Sequence, residues 1–172
     1  MPKKLLIIYC VFVTYSLLSL VFNRPVTLDF ISLFAFQGDM LLVMVFNMLG
    51  VFPIYYILVA STYEKQKAYV YILYGLGFMF GAFATIPALL LTKSTQKPLS
   101  TFQKRGFILI PMMLLLMTII GILFGDMNDY YQLFLNDQFV HIMTIDFFIL
   151  LITPYFLGAT GLPFKHLMTW HL

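Results

Sequence analysis

The stretch Tyr74-Gly75-Leu76-Gly77-Phe78-Met79-Phe80-Gly81-Ala82-Phe83-Ala84-Thr85-Ile86-Pro87-Ala88 lies inside a run, Ala68 to Leu91, that no charged side chain interrupts. A helix rises about 1.5 Å per residue and bilayer hydrocarbon is about 30 Å thick, so roughly 20 apolar residues suffice to cross it. Read as one continuous helix, 68–91 is a membrane span. Similar runs flank it at Leu5 to Phe22, Asp39 to Ala60, Phe107 to Phe124 and Phe139 to Ala159. In lipid, backbone polar groups must be bonded within the protein, and none of these runs alternates apolar with polar residues as barrel strands do. The expected fold is therefore an all-α polytopic membrane helix bundle of about five transmembrane helices. It occupies residues 1–172 as a single integral-membrane domain.

Composition agrees: 62% of residues are hydrophobic and 10% charged, against about 25% charged in soluble domains. No hydrophilic stretch is long enough for a separate soluble domain, and no fixed-period repeat is visible. The formal net charge is +3, but the basic residues are spread among the connections between spans. They point to the lipid bilayer as partner and not to nucleic acid. Lys3 and Lys4 precede the first run, which ends Leu18-Ser19-Leu20-Val21-Phe22-Asn23 without a small-x-small cleavage site. It reads as a retained signal anchor. Cys10, the only cysteine, reads as a small hydrophobe.

Charge also encodes orientation. Lys93, Lys97, Lys104 and Arg105 precede the fourth run, whereas Asp126, Asp129 and Asp137 follow it, so the basic loop is expected in the cytoplasm. Five spans then put the tail with Lys165 inside and the N-terminus outside, which leaves six basic residues inside and four outside. The expected location is the bacterial cytoplasmic membrane.

Val26 to Gln37 is apolar but broken by Asp29 and is expected to lie along the interface or to enter partway, as an irregular connection packed on the bundle or as a re-entrant loop. The short turn Tyr63-Glu64-Lys65-Gln66-Lys67 makes the second and third helices antiparallel neighbours. Gly77 with Gly81, and Gly121 with Gly125, fit the small-xxx-small pattern of close helix packing. They are expected to serve packing within the bundle, with a homo-oligomer face as the alternative. Pro53, Pro87 and Pro154 fall inside predicted spans, where each removes a backbone donor and can kink its helix.

The chain offers few residues for chemistry. Asp146 lies about two turns into the last span, where an acid costs roughly 2.5 to 3.5 kcal/mol on insertion scales. It therefore faces other helices or a polar cavity, as structural pairing or as a site of proton transfer or ligand binding. Thr153, seven residues on, shares its face and could line a polar seam opposite Asn47. His141 and Asp146 differ by about 140° around a helix and form no dyad; His141 could instead meet a headgroup, a cofactor or the acidic loop. On the second helix Asp39 reads as an N-terminal carboxylate favoured by the helix dipole, and Asn47 as interhelical glue or a ligand contact. His166 and His171 lack the company a metal site needs, so no metal is expected. No phosphate loop, zinc-protease motif or nucleophile elbow is present. Which cofactor the bundle would take is open; its aromatic content, 18%, suits ordinary packing and would also suit a flat molecule such as a quinone, carotenoid or chlorin.

Two stretches carry a resemblance. Phe46-Asn47-Met48-Leu49-Gly50-Val51-Phe52-Pro53 with Gly81-Ala82-Phe83-Ala84-Thr85-Ile86-Pro87, and Phe139-Val140-His141-Ile142-Met143-Thr144-Ile145-Asp146-Phe147, resemble a family of small multi-pass membrane proteins from cyanobacteria, plastids and some other bacteria. That family has no assigned activity, so the resemblance implies a membrane bundle without a substrate or catalytic residues. Three functions compete. The first is a non-enzymatic binder of a lipid-soluble molecule or an assembly factor with a membrane-protein partner. The second is a small proton-coupled permease using Asp146. The third is an intramembrane lipid or isoprenoid enzyme.

Overall fold

The computed structural model describes residues 3–21, 25–27, 33, 36–63, 66–92 and 98–158, the side chains as far as 154. Most of Val26–Gln37 and the tail carrying Lys165, His166 and His171 lie outside the described residues. Among those described there is no β-strand. The helices are α1 (Lys3–Val21), α2 (Met40–Ser61), α3 (Ala68–Phe80), α4 (Ala82–Leu91), α5 (Thr101–Phe124), α6 (Met127–Asn136) and α7 (Gln138–Gly158). Three of them, α1, α2 and α5, are long and apolar enough to cross a membrane; α6 and α7, bent by 109° at their junction, supply up to a fourth.

Local chemistry sets the helix starts. Asp39 caps α2 by accepting the Leu42 N–H at 3.0 Å. Ser100 and Gln103 form a reciprocal capping box that starts α5 six residues before the expected span. Asp126 caps α6 through the Asn128 and Asp129 N–H groups, and Asp137 caps α7 through those of Phe139 and Val140. Each supplies an acceptor to amides that have no partner within their own helix.

The expected single span over 68–91 is corrected by the structure: it is two helices folded against each other. Residues 74 and 92 would stand about 27 Å apart along one straight helix, yet Tyr74 Oη and Thr92 Oγ1 are 2.9 Å apart. A Cβ placed on Gly77 would lie 2.4 Å from Thr85 Oγ1, which brings the two arms into contact beside the turn. The turn is Gly81, at φ 51° and ψ −127°. Its N–H closes α3 on Gly77 O, and its carbonyl opens α4 by accepting the Thr85 N–H. A side chain would be strained there, so glycine is the residue that permits the reversal. At 13 and 10 residues, the arms reach only about 20 and 15 Å.

This reversal explains the packing of the long helices. Gln103 Nε2 reaches Ser61 at 2.9 Å, whereas Gly121 sits against Leu41 and Met44, so α5 runs antiparallel to α2. The chain from Ser61 to Thr101 therefore begins and ends at the same end of the bundle, as a hairpin requires and a full crossing forbids. Helix α7 runs parallel to α2: Val140 and Met143 pack in one cluster with Leu41–Met48, and Tyr56 Oη donates to Leu150 O at 2.7 Å. Helix α1 runs antiparallel to α7, with Ser19 beside Gln138 and Tyr15 beside His141. Consequently Lys3, Lys4, Lys67, Lys104 and Arg105 gather at one end, and Asp39, Asp126, Asp129 and Asp137 at the other. Of the described Lys, Arg, Asp and Glu residues, only Asp146 lies between.

The prolines are accommodated without open carbonyls at two places. Pro87 cannot donate to Phe83 O, and Tyr9 Oη donates there instead at 3.2 Å. Pro154 cannot donate to Leu150 O, the carbonyl that Tyr56 fills. Each tyrosine thus repairs the helix bond that a proline removes.

Candidate functional site

Asp146 meets the hairpin at its tip. Its Oδ1 accepts the Ala82 N–H at 2.6 Å, the first amide of α4. Its Oδ2 lies where a Gly81 side chain would begin, 1.6 Å from the position of a Cβ. The absence of a side chain at Gly81 therefore serves twice, in the backbone turn and in the approach of the acid. Asp146 is 6% exposed, and Ala82 N–H is its only hydrogen-bond donor among the described residues. In the same first turn of α4, Thr85 is fully buried and its Oγ1 has no hydrogen-bond partner among the described residues.

The other sequence candidates are placed separately. Asn47 Nδ2 donates to Val43 O of its own helix at 2.8 Å and to Leu33 O at 3.4 Å. Thr153 Oγ1 donates to Ile149 O at 2.7 Å. Neither is hydrogen-bonded to Asp146, so no bonded polar seam joins the three. Asp39 holds two elements, α2 through Leu42 and the α5–α6 junction through the Asp126 N–H at 2.6 Å. All four predicted packing glycines lie at close approaches. Gly77 faces Thr85 and Pro53, Gly81 faces Asp146, and Gly121 and Gly125 face Leu41.

His141 belongs to a second polar group, between α1, α6 and α7. Its Nδ1 is 3.0 Å from Phe134 O and its Nε2 is 2.5 Å from Tyr15 Oη. A carbonyl only accepts, so Nδ1 carries a hydrogen; in the neutral ring Nε2 then accepts from the tyrosine. Phe134 stacks on the imidazole at 4.6 Å between ring centroids. Beside this group Gln138 Nε2 donates to Ser19 Oγ at 2.8 Å, and Tyr130 Oη pairs with Thr144 Oγ1 at 2.7 Å.

At the α6–α7 elbow, Asp137 is 1% exposed. Burial pushes its carboxyl upward, but hydrogen bonds from Thr27 N–H and Oγ1 and from the Val140 and Phe139 N–H groups outweigh that. They hold it below the ordinary carboxylate value.

Sequence reading missed Tyr15, Ser19, Gln138 and Thr85. A signal existed for some: Tyr15 and Ser19 recur at four residues, and Gln138 and His141 at three, so each pair shares a helix face. Thr85 carried none, because it becomes notable only when the chain reverses. Compared with known proteins, the chain matches no family model, no curated sequence and no solved structure.

Proposed function

We propose that this chain is an integral protein of the bacterial cytoplasmic membrane that binds a lipid-soluble molecule or serves a larger membrane complex as a non-enzymatic accessory factor. In this reading α1, α2, α5 and α7 cross the bilayer, and α3–α4 enters as a re-entrant hairpin from the cytoplasmic side. The orientation follows from charge. The described cations share one end, and Lys65, Lys93 and Lys97 fall in sequence between helix ends at that same end. Lys165 follows α7, so nine basic residues belong to that side and Arg24 alone to the other. The six-to-four division given by five full spans becomes nine to one, and the N-terminus moves inside. Kinship with the small multi-pass family described above belongs to the same proposal.

One observation carries the non-enzymatic reading: Asp39, Asn47, His141, Asp146 and Thr153 each hydrogen-bond to other protein groups. Their polarity is used to build the bundle. Meanwhile α5 packs along α2 and leaves Met112, Leu115, Ile119 and Ile122 exposed for lipid or a partner helix. Native mass spectrometry of gently solubilised protein, with an absorption spectrum of the same sample, tests this. A bound lipophilic molecule or partner subunit is expected; a bare monomer under the mildest extraction would count against it.

A proton-coupled permease is the second reading, favoured by the helix break at Gly81 with an acid against it. Broken half-helices are the parts from which many transport sites are built. A pH-driven flux in proteoliposomes that Asp146→Asn abolishes without loss of folding would select it. For the topology, Cys10 is exposed and is first replaced by Ser. Cysteines at Lys67 and Ser100 should then label from the same side, whereas a full crossing over 68–91 would put them on opposite sides.

A further inference from the structure

We infer that the Asp146 carboxylate at the hairpin tip is the binding site of one small monovalent cation, a proton or Na+, which neutralises it inside the bundle. The inference rests on the tip geometry and on what surrounds it, and it holds for an accessory factor as for a permease.

Among the described residues no charge balances Asp146. On α1 the titratable neighbours are Tyr9, bonded to Phe83 O, and Tyr15, bonded to His141. On α2 they are Tyr55 and Tyr56, the latter bonded to Leu150 O. Tyr74 of α3 points to Thr92, α4 has no titratable residue, and Tyr130 of α6 pairs with Thr144. His141, on α7 itself, is turned about 140° away toward Tyr15 and Phe134. The described cations all sit at the far end of the hairpin arms, beginning with Lys67, which precedes α3.

Helix dipoles do not fill the gap. The N-terminus of α4 presents partial positive charge to Asp146, but the C-terminus of α3 ends at the same glycine with partial negative charge, which works against it. One amide hydrogen bond then remains for a carboxylate that is nearly fully buried. An ionised group so placed is strongly disfavoured unless paired, and it recruits a counter-charge or a proton.

The tip offers the means. Oδ2 receives no hydrogen bond from the described residues and lies over the bare Cα of Gly81, while Thr85 Oγ1, on the first turn of α4, is an uncommitted buried oxygen. A proton on Oδ2 leaves Oδ1 free to keep the Ala82 N–H. A sodium ion would instead take Oδ2 as its anchoring oxygen ligand, with Thr85 Oγ1, which lies beside Gly77 one helical turn before the tip, as the buried oxygen that would have to turn toward it. In either case one cation enters per chain and no bond in the protein is broken.

Infrared spectroscopy of the purified protein in lipid nanodiscs separates the two. At neutral pH in sodium-free buffer, a protonated-carboxyl C=O band that shifts on 13C labelling of aspartate and is lost in Asp146→Asn identifies the proton. No such band, with melting raised by NaCl but not by choline chloride and with Thr85→Ala abolishing that rise, identifies sodium. An ionised Asp146 in sodium-free buffer, with stability indifferent to NaCl, overturns the site. Should Asp146→Asn fail to fold, the labelled wild type and Thr85→Ala still decide. Because the topology is read by cysteine labelling, it can stand when the cation site fails, and the reverse.

Discussion

Gly81→Ala is the most direct challenge to the architecture. The added methyl would lie 1.6 Å from Asp146 Oδ2 and 2.6 Å from its Cγ, so the acid must retreat. Retreat breaks the bond to Ala82 N–H, and leaving that buried donor unpaired costs about 1–3 kcal/mol. Holding alanine at φ 51° adds roughly 1–2 kcal/mol. The expected loss is about 2–5 kcal/mol, roughly 30-fold or more in the folded-to-unfolded ratio at about 1.4 kcal/mol per tenfold. Equilibrium unfolding in mixed micelles measures it. The double mutant with Asp146→Ala isolates the cause, because without the carboxylate the same Gly81→Ala change should cost only the backbone strain. A coupling of about 1 kcal/mol or more is expected between the two sites. If Gly81→Ala costs less than about 0.5 kcal/mol, as a surface substitution would, the hairpin turn and its lock are wrong.

Three further outcomes follow from named contacts. Tyr56→Phe should cost about 1–3 kcal/mol by leaving Leu150 O unbonded, and Pro154→Ala should recover much of it by restoring the missing N–H; equal losses with and without the proline would contradict the repair. Gly77→Ala, whose Cβ would lie 2.4 Å from Thr85 Oγ1, should destabilise the fold by about 1–3 kcal/mol, and Thr85→Ala should relieve part of that loss in the same unfolding assay. Asp137, held below its ordinary value, stabilises the fold fully above the unfolded carboxylate pKa of about 3.9 and loses that contribution as pH falls toward its folded value. Asp137→Asn should flatten the acid limb of a melting-temperature profile; an unchanged limb would show that Thr27 and the elbow amides do not hold the carboxylate.

The helical class was legible because long uncharged apolar runs admit few alternatives, and Asp39 was legible because capping chemistry is local. The reversal at Gly81 was not. Small residues at Gly75, Gly77 and Gly81 read identically on a straight packed helix, and Pro87, the stronger breaker by composition, sits within α4. Asp146, which bonds the hairpin tip, is 64 residues away in sequence, and no window over 68–91 contains it. Helix α6 is obscured for a different reason: its acids also serve as orientation signals, although Asp126 followed by Met127, Tyr130, Leu133 and Phe134 has the cap and spacing of an amphipathic helix. At the candidate site, the face shared by Asp146 and Thr153 could be calculated, but not which helix each would meet.

The lock between residues 82 and 146 also imposes an order on assembly. Each hairpin arm falls short of the bilayer thickness, and the first amide of α4 has its partner only when α7 has been made. At translation rates of about 5–20 residues per second, the intervening 64 residues take roughly 3–13 s. During that interval the nascent α3–α4 segment lacks its closing acid, and an ordinary span over 68–91 is the competing arrangement. The bond that Asp146 accepts from Ala82 N–H is one that only the folded-back form can make, so its arrival adds weight to that form against a through-going one. Chains truncated before residue 146 should leave that choice unmade, and be the ones that quality-control proteases find.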